Sequence, residues 1–283
     1  MQRYSILHRT YYTFSEEVIL GPHRLRLRPR EGHELRIESS TLEISPSAEL
    51  HWQRDAEDNS VTIATFDQPA SQLVIESKVI IQQYNESPLD FLVSDYAINF
   101  PFDYTHGDRK VLSPYLKAPQ GTSCHALKAW IDNLWQADEK LQSYELILRL
   151  TRHINQAMRY QIREEPGVQT AENTLALGSG SCRDFAALLM EAARELGLAA
   201  RFVSGYLCTP PSPQDYGATH AWTEIYLPGP GWKGFDPTTG EIVGSDHVSV
   251  AVSHSPADVP PVEGSYVGPG NAKLEVGVWM TPL

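Results

Sequence analysis

Cysteine is scarce in this chain: three in 283 residues, an odd and sparse set that makes no disulfide framework and fits a reducing compartment. No apolar run reaches the ~18 residues of a membrane-spanning helix, and residues 1–14 hold no apolar stretch of the signal-peptide kind. Positive charge is also in deficit. The 23 Lys and Arg against 35 Asp and Glu leave a formal charge of −12, which argues against nucleic acid or an anionic membrane surface as a partner. Internal repeats, low-complexity tracts, short-spacing pairs of metal ligands and acidic calcium-loop motifs are all missing, so no cofactor and no metal is expected. These absences describe a soluble, cytoplasmic protein of one large or two ordinary domains.

What is present changes character along the chain. From residue 2 to about residue 84 the apolar period is two: Leu25 and Leu27 alternate with Arg24, Arg26 and Arg28, and Val61 with Ile63, Leu73 with Ile75 and Val79 with Ile81 continue the habit. Turn-forming residues separate these runs at 29–33, 45–48, 55–60 and 67–71, as in a sandwich of short strands. The arginine ladder from Arg24 to Arg30 reads as a solvated strand face before it reads as an anion site. Residues 87–120 carry Pro88, Pro101, Pro114 and Pro119 among aromatics and form an irregular connector, with a boundary near Pro119. Helical periodicity follows, with one apolar face of Leu127, Trp130, Ile131 and Leu134 after Thr122 or Ser123, and another of Leu146, Ile147, Leu150, Ile154 and Met158 after Ser143. Residues 167–180 and 207–218 read as loops, the second rimming a cleft. The expected class is α+β: an N-terminal antiparallel β-sandwich domain with its connector over 1–118, then a second unit over 119–283 of helices packed on an antiparallel sheet. A strand-like stretch at 274–279 extends the second unit, and either sheet could receive it.

Residues 178–205 carry the chemistry. Ser181 has the side-chain oxygen to cap a helix, and Asp184 three positions on completes an acidic capping box, so Cys182 opens the helix. Phe185, Leu188, Leu189, Ala192 and Leu196 mark its buried face, Gly197 its stop, and 199–206 a buried strand. A thiol at a helix N-terminus feels unpaired N–H groups and the positive end of the dipole, which can lower a cysteine pKa from ~8.5 to roughly 3.5–7.5. A free cysteine is just as readily a small buried residue, and the helix alone leaves both readings open. Further on, residues 219–227 form a β-branched and aromatic strand, Pro228 to Gly231 a turn, and 232–235 a returning strand stopped by Asp236-Pro237. His220 and Asp236 then come within a few residues of opposite each other, with a bulge to correct the rest.

The runs Gly178-Ser179-Gly180-Ser181-Cys182-Arg183-Asp184-Phe185-Ala186, Ala200 to Tyr206, His220-Ala221-Trp222 and Gly231-Trp232-Lys233-Gly234-Phe235-Asp236-Pro237 together resemble the bacterial transglutaminase-like proteins, often described as cysteine proteases. The run His23 to Pro29 similarly resembles the β domain that precedes the core in many of them. The resemblance implies a papain-like, transglutaminase-like core with a catalytic triad of Cys182, His220 and Asp236. It also implies acyl transfer through a thioester, most simply hydrolysis of an amide in a peptide or protein substrate. A true transglutaminase and a binding module with an idle triad are the alternatives; oligomeric state stays open. An arylamine N-acetyltransferase would need Arg-Gly-Gly-x-Cys near the start of the chain, and a zinc site of Cys182, Cys208 and His220 lacks a short-spacing ligand pair. Trp222 is expected beside the imidazole, as its shield or as a core aromatic. Cys124 and Cys208 read as core or surface residues, Arg183 as a solvated first-turn residue, and His125, His247 and His254 as histidines without a partner pattern.

Overall fold

The structure, a computed structural model, describes residues 1–84, 87–117, 125–136, 138–163, 165–208 and 219–283. The alternating segment folds as β1 (Gln2–Leu20), β2 (His23–Leu25), β3 (Leu35–Ser45), β4 (Glu49–Arg54), β5 (Ser60–Thr65) and β6 (Ala70–Gln83). One sheet sets β1 beside β6 and β6 beside β3; the other sets β2 beside β5 and β5 beside β4. Period-two apolar side chains from both, among them Phe14, Val18, Leu25, Ala64, Leu73 and Ile75, meet in a closed core. Each large aliphatic buried there contributes roughly 1.5–3 kcal/mol. The stretch at 274–279 lies in the strand Ala272–Pro282, which returns to this domain and pairs antiparallel with β1 over its whole length.

The arginine ladder is a solvated strand face only at Arg24, which lies exposed on β2. β2 ends at Leu25, Arg26 is buried with its guanidinium on the Pro260 carbonyl (3.3 Å), and Arg30 donates to Asn59 Oδ1 (2.7 Å). These cations are spent on internal acceptors, because the chain leaves the sheet there and crosses towards the second unit.

The connector packs closely. It holds the short helix α1 (His106–Val111), capped by Thr105, and its Tyr104 hydroxyl donates to the Tyr226 carbonyl (2.8 Å) while accepting the Ala199 N–H (3.0 Å). Beyond it come α2 (His125–Asp132), α3 (Ser143–Ala157), α4 (Ala171–Leu177) and α5 (Cys182–Glu195). The expected caps Thr122 and Ser123, Cys124, the boundary at Pro119 and most of the 207–218 loop lie outside the described residues. Helix α4 occupies the expected 167–180 loop: the Thr170 hydroxyl caps it at Asn173 N–H (3.2 Å), and Gly178, at φ +57°, ends it. With only Ala171 and Thr174 buried, it is too short to show a periodic apolar face.

The core sheet is antiparallel, in spatial order Glu241–Ile242, Gly231–Asp236, His220–Leu227, Ala200–Leu207 and His247–Ser253. Helix α5 packs on it, and its alanines at 186, 187, 192 and 193 permit close approach while Phe185, Leu188 and Leu189 fill the core. It ends as sequence requires: Gly197, at φ +79°, donates to the Arg194 carbonyl and Leu198 to the Ala193 carbonyl, the two bonds of a Schellman stop. At the far end of its strand Tyr206 packs with Tyr4, Ile6, Val79 and Ile81 of the N-terminal sheet, and the adjoining strand carries a bulge at Val250 beside it. The core sheet is thus covered by α5 and, in part, by β1 and β6. Asn59 adds a polar lock, its amide exchanging two 2.8 Å hydrogen bonds with the Val252 backbone.

Candidate active site

The tip of α5 is tied down on several sides. Asp184 is wholly buried; its Oδ2 accepts the Ser181 N–H (2.8 Å) and hydroxyl (2.7 Å), and its Oδ1 accepts Arg163 (2.6 Å) and the Gln169 N–H (2.7 Å). Burial alone would raise this carboxyl, but the four hydrogen bonds outweigh it and hold its pKa below the ordinary value. Gly180 is glycine for a visible reason: a Cβ there would stand 2.8 Å from that of Asp184. Arg183 is half-buried, its guanidinium on the Arg163 and Glu165 carbonyls, so it braces the same loop where a solvated side chain was expected. On the sheet side, the Thr223 hydroxyl donates to the Ala186 carbonyl (2.7 Å) and anchors the first turn. Cys182, half-buried, is thereby held at a fixed place at the end of a rigid helix.

The hairpin supplies the other two groups. The ladder Leu227↔Gly231 to Thr223↔Phe235, continued one step, puts Asp236 level with Trp222, two positions from His220 and on the same face. No bulge is needed, since the diagonal is within side-chain reach. His220 Nε2 and Asp236 Oδ2 are 2.8 Å apart, and the helix-tip Cys182 is near enough to act on the same ring. Burial opposes a charge on His220, but the hydrogen bonds to Asp236 and Cys182 and their charges prevail and raise its pKa. Asp236 shows no exposed surface; burial would raise its pKa, and the imidazoles around it lower it instead. Its second oxygen accepts the Thr238 N–H (2.8 Å).

Trp222 is 1% exposed, its ring 6.2 Å from that of His220 and tilted 35° to it. It is core aromatic and water shield together. Gly205, paired with His220 across the ladder, makes room for it: a Cβ there would lie 2.5 Å from the indole.

One residue of this cluster carries no signal in the sequence. His247 has two partners: its Nε2 lies 3.2 Å from the Asp236 Oδ2 that also receives His220, and its Nδ1 lies 2.7 Å from Asp246 Oδ1. Only the adjacency of Asp246 and His247 could have hinted at this, because nothing local says that the first residue of a strand reaches the last residue of another. The donor atoms of His220, Asp236 and His247 lie within 4.8 Å of one another, close enough to raise the question of a cation. Here both imidazoles address one carboxylate oxygen at hydrogen-bond distance, so a cation would have to displace both bonds. Cys208 stands apart, its Sγ directed at the Met280 carbonyl and its pKa raised by burial and by Asp246.

Two family models match the chain: the bacterial transglutaminase-like N-terminal region over residues 4–82 and the transglutaminase-like superfamily over residues 129–237. An uncharacterised protein of Mycobacterium tuberculosis is 30% identical over 99% of this chain and 93% of its own length. One of Mycobacterium leprae is 25% identical over the full length of both. Among solved structures, a candidate cysteine protease of Cytophaga hutchinsonii superposes with a TM-score of 0.74 at 18% identity, covering 100% of this chain and 91% of the other, which establishes a shared fold.

Proposed function

The chain belongs to the transglutaminase-like superfamily, and from that premise we propose that it is a cysteine-dependent acyl-transfer enzyme, with Cys182 as nucleophile, His220 as acid and base, and Asp236 as orienter. The observation that carries the reading is the position of the His220 ring, with Nε2 2.8 Å from the buried Asp236 carboxylate and the helix-tip thiol near enough to help raise its pKa. A raised imidazole pKa favours the imidazolium beside a thiolate, the reactive form of such a pair.

In this mechanism the Cys182 sulfur bonds to the carbonyl carbon of an amide, and the C=O electron pair moves onto oxygen. The first-turn N–H groups of α5 include that of Cys182, which has no acceptor within its own helix and is the oxyanion donor. Collapse re-forms the carbonyl and breaks the C–N bond as the nitrogen takes the proton from His220, so an amine leaves and a thioester remains. Water then attacks while giving its proton to the same ring, the C–S bond breaks, and a carboxylic acid departs. An amine in place of water would yield a new amide with the same residues. Hydrolysis is the leading reading because water needs no amine subsite. The substrate class is a peptide, isopeptide or glutamine amide of a peptide or protein.

Alkylation with iodoacetamide at neutral pH, read by mass spectrometry, tests the centre. The expected result is labelling of Cys182 ahead of Cys124 and Cys208, with that preference lost in His220→Ala. Equal labelling of all three thiols would refute an activated Cys182. Product analysis on a glutamine-containing peptide, with and without an added primary amine, separates hydrolysis from transamidation.

A further inference from the structure

His247 is 5% exposed and has a carboxylate at each ring nitrogen, Asp236 at 3.2 Å and Asp246 at 2.7 Å. A carboxylate oxygen only accepts hydrogen bonds, so a ring placed this way is protonated at both nitrogens. The Gly244 N–H also approaches Nδ1, but at 3.4 Å it lies beyond a well-formed bond, and Asp246 is the partner. The ring is fixed on its other sides too. Trp222 meets it edge-on at 5.3 Å, and the His247 carbonyl accepts from Gln83 of β6 (3.1 Å), so the N-terminal domain holds the strand that presents it. The result is a line of groups, Cys182, His220, Asp236, His247 and Asp246, in which acidic and basic members alternate, with Cys182 half-buried at one end and Asp246 exposed at the other.

We propose that His247, held as a cation by Asp246, is a positioning residue that shares the Asp236 carboxylate with His220 and so sets how strongly that carboxylate acts on the catalytic imidazole. The inference rests on the triad reading above. It has two physical parts. The His247 N–H fixes Asp236 Oδ2 from the side opposite His220, so the carboxylate cannot rotate out of line. The cation also offsets part of the negative charge on Asp236, which would otherwise hold the His220 proton more firmly, and its field reaches the thiol and favours the thiolate.

The titratable groups around this ring are few. Asp236 and His220 face it from the two strands beyond Ala200–Leu207, with Cys182 beyond His220 at the helix tip, and Asp246 closes the other end. Tyr4 of β1 and Cys208 face Asp246; burial first raises both, followed by Asp246 for Cys208 and by Cys208 and then Asp246 for Tyr4, so they remain neutral where the site works. Replacing Asp246 by Asn is the informative change. Its amide can donate to an unprotonated Nδ1 while Nε2–H still serves Asp236, so geometry is kept and the charge on His247 is removed.

The test is the pH dependence of Cys182 alkylation by iodoacetamide in the full chain, which requires no substrate. Asp246→Asn is expected to move the midpoint up, so that labelling below the wild-type midpoint slows about three- to tenfold while the plateau rate at high pH is kept. His247→Gln, which also lacks the cation, should move the midpoint in the same direction. Proton–nitrogen NMR should show both His247 ring nitrogens protonated in the wild type and one in Asp246→Asn. If the wild-type midpoint is low and depends on His220 but Asp246→Asn leaves it unchanged, the inference is overturned and the triad stands. If the wild-type midpoint is that of an ordinary thiol and His220→Ala does not move it, the triad falls and this inference with it.

Discussion

Buried imidazoles sit in both halves of the molecule and are treated in opposite ways. In the N-terminal domain, His8 is 1% exposed and its ring nitrogens meet hydroxyls, Tyr206 at 3.1 Å and Thr10 at 3.0 Å. Hydroxyls give or accept a proton in a hydrogen bond but carry no charge, so burial wins and the pKa falls to about 4. In the core, His220 and His247 are as deeply placed, but carboxylates face them, and burial loses. One residue type at similar depth is made into a fixed neutral strut in one place and a proton-carrying group in the other. Partner chemistry decides, not depth.

The largest test of that contrast removes the charge shared by the two core imidazoles. Asp236→Asn is expected to lower kcat/KM on an amide substrate by about 10⁴-fold, the scale seen when a triad carboxylate becomes an amide and the wrong imidazole tautomer is held. The folded state should survive, as checked by circular dichroism. A loss below about tenfold would mean that the carboxylate does not govern His220.

Stability against pH comes next. The folded pKa of His8 lies below its unfolded value of ~6.5, so the unfolded chain takes up that proton first on acidification. Its contribution is fully present above pH ~6.5 and is lost as pH falls towards about 4, a drop of roughly 3 kcal/mol. The raised pKa values of His220 and His247 run the other way, contributing below pH ~6.5 and losing that contribution as pH rises through the folded values. Urea titrations of wild type and His8→Gln between pH 7 and 4 should show the wild-type curve falling more steeply. Parallel curves would mean that His8 is not held neutral. The smallest effect is expected from Tyr206→Phe, which strips one hydroxyl from His8 and leaves a buried nitrogen short of a partner. It should cost about 1–3 kcal/mol in urea unfolding and leave Cys182 alkylation unaltered.

Much of this architecture was legible because it is written locally. The cap at Ser181 and Asp184, the Gly197 stop, the apolar face of α3 and the alternation in β5 and β6 each need only near neighbours, and each is present. Cys182, His220 and Asp236 were named through the family resemblance, and a helix start and a hairpin account for where the chain sets each of them. His247 was missed because its role depends on one strand beginning beside the end of another, a relation fixed by sheet order. The arginine ladder misled for a similar reason: alternation along Arg24, Arg26 and Arg28 mimics a strand, yet Arg26 and Arg30 find their acceptors through tertiary packing. Helix α4 escaped notice because it is too short to repeat.

The strand Ala272–Pro282 lies against β1 from Tyr4↔Pro282 to Phe14↔Ala272. During synthesis on the ribosome, β1 is made well before the strand that covers it on that side, with the whole core sheet between them in the chain. Until then one border of the amino-terminal sheet is bare, with its backbone groups open to pairing with a foreign strand. The core sheet must be translated while that border waits, so the nascent polypeptide is at its most adhesive before Ala272–Pro282 is made. Overproduction is therefore expected to tax holdase chaperones through this border and not through the groove at the tip of α5.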